Sequence, residues 1–172
     1  MTNAFHDVLS QILTDHPPSS LLCAGRGTVE TVKEYLSLHP HCQLLQVDLV
    51  QMDIHEVVER LNNHGMFDFT LVANTIEYVD KATAQHFLAR LRDIHTKKML
   101  VVVPIGEQGS DLPSRWEAAD FLALGFILKS KLTVDQKPLH VYAFDIDSYK
   151  STPEWLNNKY WANPHLWDKY WW

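Results

Sequence analysis

Short apolar runs at Ser20 to Ala24, Gln43 to Val47, Phe67 to Ala73 and Met99 to Val103 are separated by stretches with helical periodicity. A short run with no polar alternation suits a strand covered on both faces. Strands that alternate with helices of this length specify right-handed crossovers and a mostly parallel sheet. The helices follow from residue spacing. Phe5, Val8, Leu9, Ile12 and Leu13 make an amphipathic first helix that ends at Pro17-Pro18. Thr28 is placed to cap a second, which carries Val29, Val32 and Leu36 and stops at Pro40. Asp53 and Glu56 have the spacing of a capping box ahead of Val57, Val58 and Leu61, and Gly65 ends that helix. Ala84, Phe87, Leu88, Leu91 and Ile94 stripe the next one.

The rhythm changes after Pro104. Gly106 to Pro113 is polar and rich in turn residues, and a short helix around Trp116 to Leu124 is closed by Gly125. Phe126, Leu128, Leu132 and Val134 alternate with polar residues, Asp135 to Pro138 make a turn, and Leu139, Val141 and Ala143 alternate again. This is the pattern of an antiparallel hairpin. A chain of 172 residues is large enough for one substantial core, so residues 1–146 are expected to form a single α/β domain. Residues 147–172 form an extension that holds Trp155, Trp161, Trp167, Trp171 and Trp172. Two uses remain open for these aromatics: covering bare surface of the same domain, or docking a protein partner.

The formal charge of −6, with no basic cluster longer than Lys97-Lys98, gives no electrostatic footprint for a nucleic acid partner. No apolar run approaches the roughly 18 residues of a membrane span. The first residues lack a basic segment followed by an apolar one, so the expected location is cytoplasmic. In that reducing setting Cys23 and Cys42 are expected as buried thiols, not as a disulfide. His39-Pro40-His41-Cys42 is the densest group of potential metal ligands, but Pro40 interrupts it and no second pair at zinc spacing exists. No metal site is expected.

A glycine turn, Gly25-Arg26-Gly27, follows the first strand, and the second strand ends in Asp48. Glycines let a backbone close tightly and approach a ligand, and a carboxylate can accept both hydroxyls of a ribose. Together they point to a nucleoside pocket at the carboxyl ends of the strands. A nicotinamide dinucleotide fits less well. The third glycine of that fingerprint falls at Glu30, whose carboxylate in the first helical turn repels a pyrophosphate.

From about residue 18 to 146 the chain resembles the class I S-adenosylmethionine-dependent methyltransferases. The likeness rests on the glycine turn, on Asp48, on Phe67-Asp68-Phe69-Thr70-Leu71-Val72-Ala73-Asn74-Thr75-Ile76-Glu77-Tyr78-Val79, on Val101-Val102-Val103-Pro104 and on the closing hairpin. It implies a Rossmann-like fold, a mostly parallel sheet with a C-terminal antiparallel hairpin. It also implies S-adenosylmethionine as cofactor, with Cys23, Gly25, Gly27, Asp48 and Asn74 around it and a small-molecule or protein methyl acceptor near Asn74, Glu77, Tyr78 and Glu107. The family places an acid and three glycines where this chain reads Cys23, Gly25, Gly27 and Val29. The stretch from Asp48 to Asp68 is too short for the family's helix, strand and adenine-contacting acid, so the sheet is expected to be shortened between its second and fourth strands. Asp53 can stand in for that acid or simply cap its helix. His140, Tyr142, Asp145 and Asp147 are expected as ordinary strand residues, because alternation puts the first two and the last two on opposite faces. Two functions follow: a methyltransferase, or a non-catalytic descendant that binds partners through its tryptophans.

Overall fold

The computed structural model describes residues 3–106, 112–134, 137–149, 163 and 169. Its elements in chain order are α1 (Asn3–Asp15), β1 (Ser20–Ala24), α2 (Thr28–Leu38), β2 (Gln43–Val47), α3 (Ile54–His64), β3 (Phe67–Ala73), α4 (Lys81–Arg90), β4 (Thr96–Pro104), α5 (Ala118–Ala123), β5 (Ile127–Val134), β6 (Lys137–Asp145) and α6 (Ile146–Tyr149). The strands form one sheet in the order β2-β1-β3-β4-β6-β5. β2, β1, β3 and β4 run parallel, with Leu22 opposite both Leu45 and Thr70 and Leu71 opposite Leu100. β6 returns antiparallel beside β4, and β5 pairs with it at the edge. This is the expected α/β fold with its closing hairpin.

Strand alternation sends successive side chains to opposite faces, and each face has its own core. Leu21, Cys23, Leu71, Leu100 and Val102 pack against Phe5, Leu9 and Leu13 of α1 and Val32 of α2. Leu22, Ala24, Val72, Val101 and Tyr142 pack on the other side against Val57 and Leu61 of α3, Phe87 and Leu88 of α4, and Phe121 of α5. Large side chains of this kind contribute about 1.5–3 kcal/mol each when fully buried. Aromatic stacking adds direction on the second face, where Phe121 lies 4.2 Å from Tyr142, nearly parallel, and 5.1 Å from Trp116.

The shortening falls where the sequence places it. After β2 the chain enters α3 and then crosses directly to β3 on the far side of β1, so β2 is the outer strand. Its residues are correspondingly open, with Leu44 exposed.

Several local expectations are corrected. Thr28 does not cap α2: Gly27 occupies the cap position, and the Thr28 hydroxyl donates to the Gly25 carbonyl at 2.7 Å. Asp53 does cap α3, accepting from the His55 amide at 2.8 Å, but Glu56 leaves the box open and pairs with Arg60 instead. Ile94 leaves the apolar stripe. The residues after α4, Leu91–His95, form a π-helical turn, which is wider than an α turn and shifts the stripe by about one position. Ile94 is therefore 51% exposed while His95 is buried, its Nδ1 3.3 Å from the Gly65 carbonyl. Cys42 is only partly buried, and both thiols are free. The proposed packing of the tail concerns Trp155, Trp161, Trp167, Trp171 and Trp172, which lie outside the described residues.

Candidate functional site

The strand order reverses at β1: the chain leaves it toward β2 on one side, and β3 arrives on the other. Open α/β sheets bind ligands in the crevice at the carboxyl ends of such strands. Three residues converge there. Gly25 follows β1, Asp48 follows β2 and Asn74 follows β3.

Backbone and side-chain bonds tie these tips together. The Gly25 amide donates to the Val47 carbonyl at 2.8 Å, joining the ends of β1 and β2. The Asn74 carboxamide donates through Nδ2 to the Arg26 carbonyl at 3.1 Å, joining β3 to the glycine turn. Asn74 itself has φ +52°, a left-handed conformation that asparagine tolerates better than most residues.

The two glycines serve different ends. At Gly25, with φ +104°, a Cβ would stand 1.9 Å from the Ala73 carbonyl oxygen and 2.9 Å from Thr75 Cβ. A side chain is excluded there by β3. At Gly27, with φ +72°, a Cβ would meet nothing within 4 Å, so the outer part of the turn faces open space.

Asp48 is buried and held in place. Its Oδ1 accepts from the Val50 amide at 2.9 Å, and its carbonyl accepts from Met52 at 2.9 Å. Its Oδ2 lies 3.6 Å from Nε of Arg26, a separation for an ion pair but too long for a hydrogen bond. Oδ2 therefore keeps its acceptor capacity. The residues present fit the sugar end of a nucleoside: open space above Gly27 beside a fixed carboxylate. Asp53, at the start of α3, accepts from the His55 amide through Oδ1.

Cys23, expected beside the cofactor, is instead fully buried on the α1 and α2 face of the sheet. Burial pushes its thiol up to about 12, so it stays protonated and offers no charge. On the acceptor side, Tyr78 is exposed but Glu77 is not. Glu77 lies in a single 3₁₀ turn, Ile76–Tyr78, and is only 3% exposed, with Oε2 accepting from the Thr75 amide at 3.1 Å. The chain covers it by returning overhead: the Ser114 amide donates to the Glu77 carbonyl at 3.3 Å, and the Ser114 hydroxyl donates to the Ile76 carbonyl at 2.8 Å. Trp116 Nε1 in turn donates to that hydroxyl at 3.0 Å. Glu107 lies outside the described residues. His140 and Tyr142 share a face as expected, with Nδ1 of the histidine 3.1 Å from the phenol oxygen.

Burial raises the pKa of Glu77, an effect that its backbone hydrogen bonds only partly offset. The unfolded chain therefore ionises first as pH rises, and the fold loses stability between the ordinary glutamate range and the raised value. A Glu77→Gln variant keeps the acceptor oxygen for Thr75 without the buried charge. It is expected to melt above the wild type at pH 7 and level with it near pH 4. A lower melting temperature at pH 7 would show that the ionised form supports the fold.

Sequence reasoning passed over Arg26. Its signal was present, a guanidinium between two turn glycines, but its nearness to Asp48 depends on β1 pairing with β2.

Comparison with solved structures shows a class I methyltransferase fold. The chain is similar to 1,6-didemethyltoxoflavin-N1-methyltransferase of Burkholderia thailandensis, solved with bound 1,6-didemethyltoxoflavin and S-adenosylhomocysteine, at 15% identity and a TM-score of 0.57, over 82% of this chain and 76% of that one. It is also similar to magnesium protoporphyrin IX methyltransferase from Synechocystis PCC 6803, solved with bound S-adenosylhomocysteine, at 10% identity and a TM-score of 0.51, over 81% of each chain. No curated protein matches the chain in sequence. A family described as "Family of unknown function (DUF6231)" matches residues 3–172. Among the described residues no helix is long and apolar enough to cross a membrane.

Proposed function

We propose that this chain, which belongs to the DUF6231 family, binds S-adenosylmethionine at the tips of β1, β2 and β3 and passes its methyl group to a small-molecule or protein acceptor. The observation that carries this reading is the meeting of Gly25, Asp48 and Asn74 at the reversal of strand order, where the Gly25 amide bonds to Val47, Asn74 bonds to the Arg26 carbonyl and Arg26 pairs with Asp48. The cofactor supplies an electrophilic methyl group on a sulfonium. The chain's own residues bind and orient. Asp48 Oδ2 accepts from the ribose hydroxyls, and the bare turn at Gly27 lets the ligand lie against the backbone. Methyl transfer is accelerated mainly by holding donor and acceptor in line, and a base is needed only where the acceptor must lose a proton. The burial of Glu77 is therefore compatible with an acceptor that is already nucleophilic. Tyr78, exposed beyond β3, is the candidate to line the acceptor. The negative net charge supports an acceptor that is not a nucleic acid.

A second reading, binding without turnover, draws on Cys23 and Glu77, since neither expected polar group reaches the crevice surface. Calorimetric titration with S-adenosylmethionine and S-adenosylhomocysteine tests the shared premise. Saturable heat with one ligand per chain is expected, and no heat at millimolar ligand would refute it. Release of S-adenosylhomocysteine on incubation with candidate acceptors separates turnover from binding alone.

A further inference from the structure

The shortened sheet has two edges of different character. β5 carries Lys129 and Lys131, both exposed, and its register with β6 shifts between Leu128 and Ser130. Lysines and irregular pairing guard an edge against a neighbouring strand. β2 has neither. It reads Gln43-Leu44-Leu45-Gln46-Val47, its register with β1 is unbroken, and among the described residues it pairs with β1 alone. From Tyr35 to Val47 the chain has no Asp, Glu, Lys or Arg. Leu44 stands 39% exposed within this uncharged stretch.

The backbone shows which groups of β2 are open. The Gln43 amide donates to the Ser19 carbonyl, and the Val47 carbonyl accepts from the Gly25 amide, so both residues face β1. Alternation along a parallel pair then turns the N–H and C=O of Leu44 and Gln46 outward. The residues on either side of the strand are already engaged. The Cys42 amide donates to the His39 carbonyl, and the Asp48 carbonyl accepts from the Gln51 and Met52 amides. The open ladder is therefore short, with one donor and one acceptor at Leu44 and the same at Gln46.

Charge and symmetry select what can sit there. Two copies of a chain with a formal charge of −6 repel each other in general, but two β2 edges meet without opposing like charges. A two-fold axis makes the paired strands antiparallel. With the axis at Leu45 all five residues overlap and face the same way. Leu44 of one protomer exchanges both backbone bonds with Gln46 of its partner, the reverse pair does the same, and Leu45 meets its own copy. Moving the axis to Leu44 or Gln46 sets an open residue against Cys42 or Asp48, whose groups are spent. Moving it by half a residue would mismatch the two faces of the joined sheet.

From this geometry we infer that β2 is the seam of a symmetric homodimer, in which two sheets join edge to edge with Leu44 opposite Gln46. The inference is independent of the ligand proposed above. A seam of this length lies at the small end of specific interfaces, so the dimer dissociates on dilution.

The test is sedimentation of the full chain over a range of concentrations. The wild type is expected to pass from one chain to two as concentration rises. A wild type that stays monomeric into the millimolar range would overturn the inference. Leu44→Lys combined with Gln46→Lys sets lysines against each other at both pairs and is expected to weaken the dimer at least about tenfold. That variant also lowers the net negative charge, so general repulsion works against the expected result. Leu44→Lys combined with Gln46→Glu has the same loss of leucine but sets opposite charges across the seam, and it is expected to restore most of the association. Gln46→Pro removes one outward donor without adding charge and is expected to weaken the dimer too. Leu44 and Gln46 are exposed, so melting of the dilute variants near the wild-type temperature serves as the folding control. Equal dimerisation of the two charged variants would place the interface elsewhere, and equal loss in both would contradict the pairing of Leu44 with Gln46. Either result overturns the inference.

Discussion

Gly25→Ala is expected to destabilise the fold by about 3–5 kcal/mol, the combined cost of a left-handed backbone and an overpacked core contact. The larger part is steric. A Cβ at this position would lie 1.9 Å from the Ala73 carbonyl oxygen and 2.9 Å from Thr75 Cβ, and the first neighbour is backbone of the central strand β3. Relief would require β1 and β3 to separate at their tips, where Ala24 is paired with Val72 and the Gly25 amide is bonded to Val47. Gly27→Ala is the matched control. Its φ of +72° is also left-handed, but its Cβ would meet nothing within 4 Å. The control should cost only about 1–2 kcal/mol. In thermal melts the two variants are expected to differ by roughly 5–10 °C for a chain of this size. Equal losses would mean that backbone conformation alone, and not the approach of β3, explains Gly25.

The elements that set the site were legible because their boundaries are local. β1, β2 and β3 end where apolar runs meet Gly25, Asp48 and Asn74, and the structure keeps their limits at Ser20–Ala24, Gln43–Val47 and Phe67–Ala73. The short interval between Asp48 and Asp68 was likewise enough to foresee a truncated sheet, since chain length cannot be recovered elsewhere. What escaped was set by contacts distant in sequence. Glu77 looks like a surface carboxylate until residues 112–116 fold back over it and bond to its turn through Ser114. Cys23 follows from alternation along β1, but which face α1 would cover is not written in the strand. Thr28 reads as a cap because threonine often is one. The left-handed Gly27 takes that position and frees the hydroxyl for Gly25. Ile94 fits the helical stripe, and only the π turn that buries His95 expels it.

These contacts also decide how much of the site was foreseen. Gly25, Asp48 and Asn74 do come together, through bonds between strand tips that no local pattern specifies. Asp53 does cap its own helix, through one carboxylate oxygen. In the proposed site Asp48 is the acceptor for the ribose hydroxyls, so its loss should be felt directly in the affinity.

Asp48→Ala is accordingly expected to reduce affinity for S-adenosylhomocysteine by roughly ten- to a hundred-fold, the cost of removing hydrogen bonds to an ionised partner. That variant also strips the Val50 amide of its acceptor, so a turn defect would enter the same number. Asp48→Asn separates the two effects, because its amide oxygen can still accept from Val50 while the second oxygen and the charge are gone. The decisive measurement is titration of S-adenosylhomocysteine into the wild type and into Asp48→Asn, with the melting temperature of each recorded alongside. A saturable wild-type signal and a variant weakened at least about tenfold with unchanged melting is the expected result. Equal affinity in the two proteins would contradict the claim that the buried carboxylate beside the glycine turn holds the ribose.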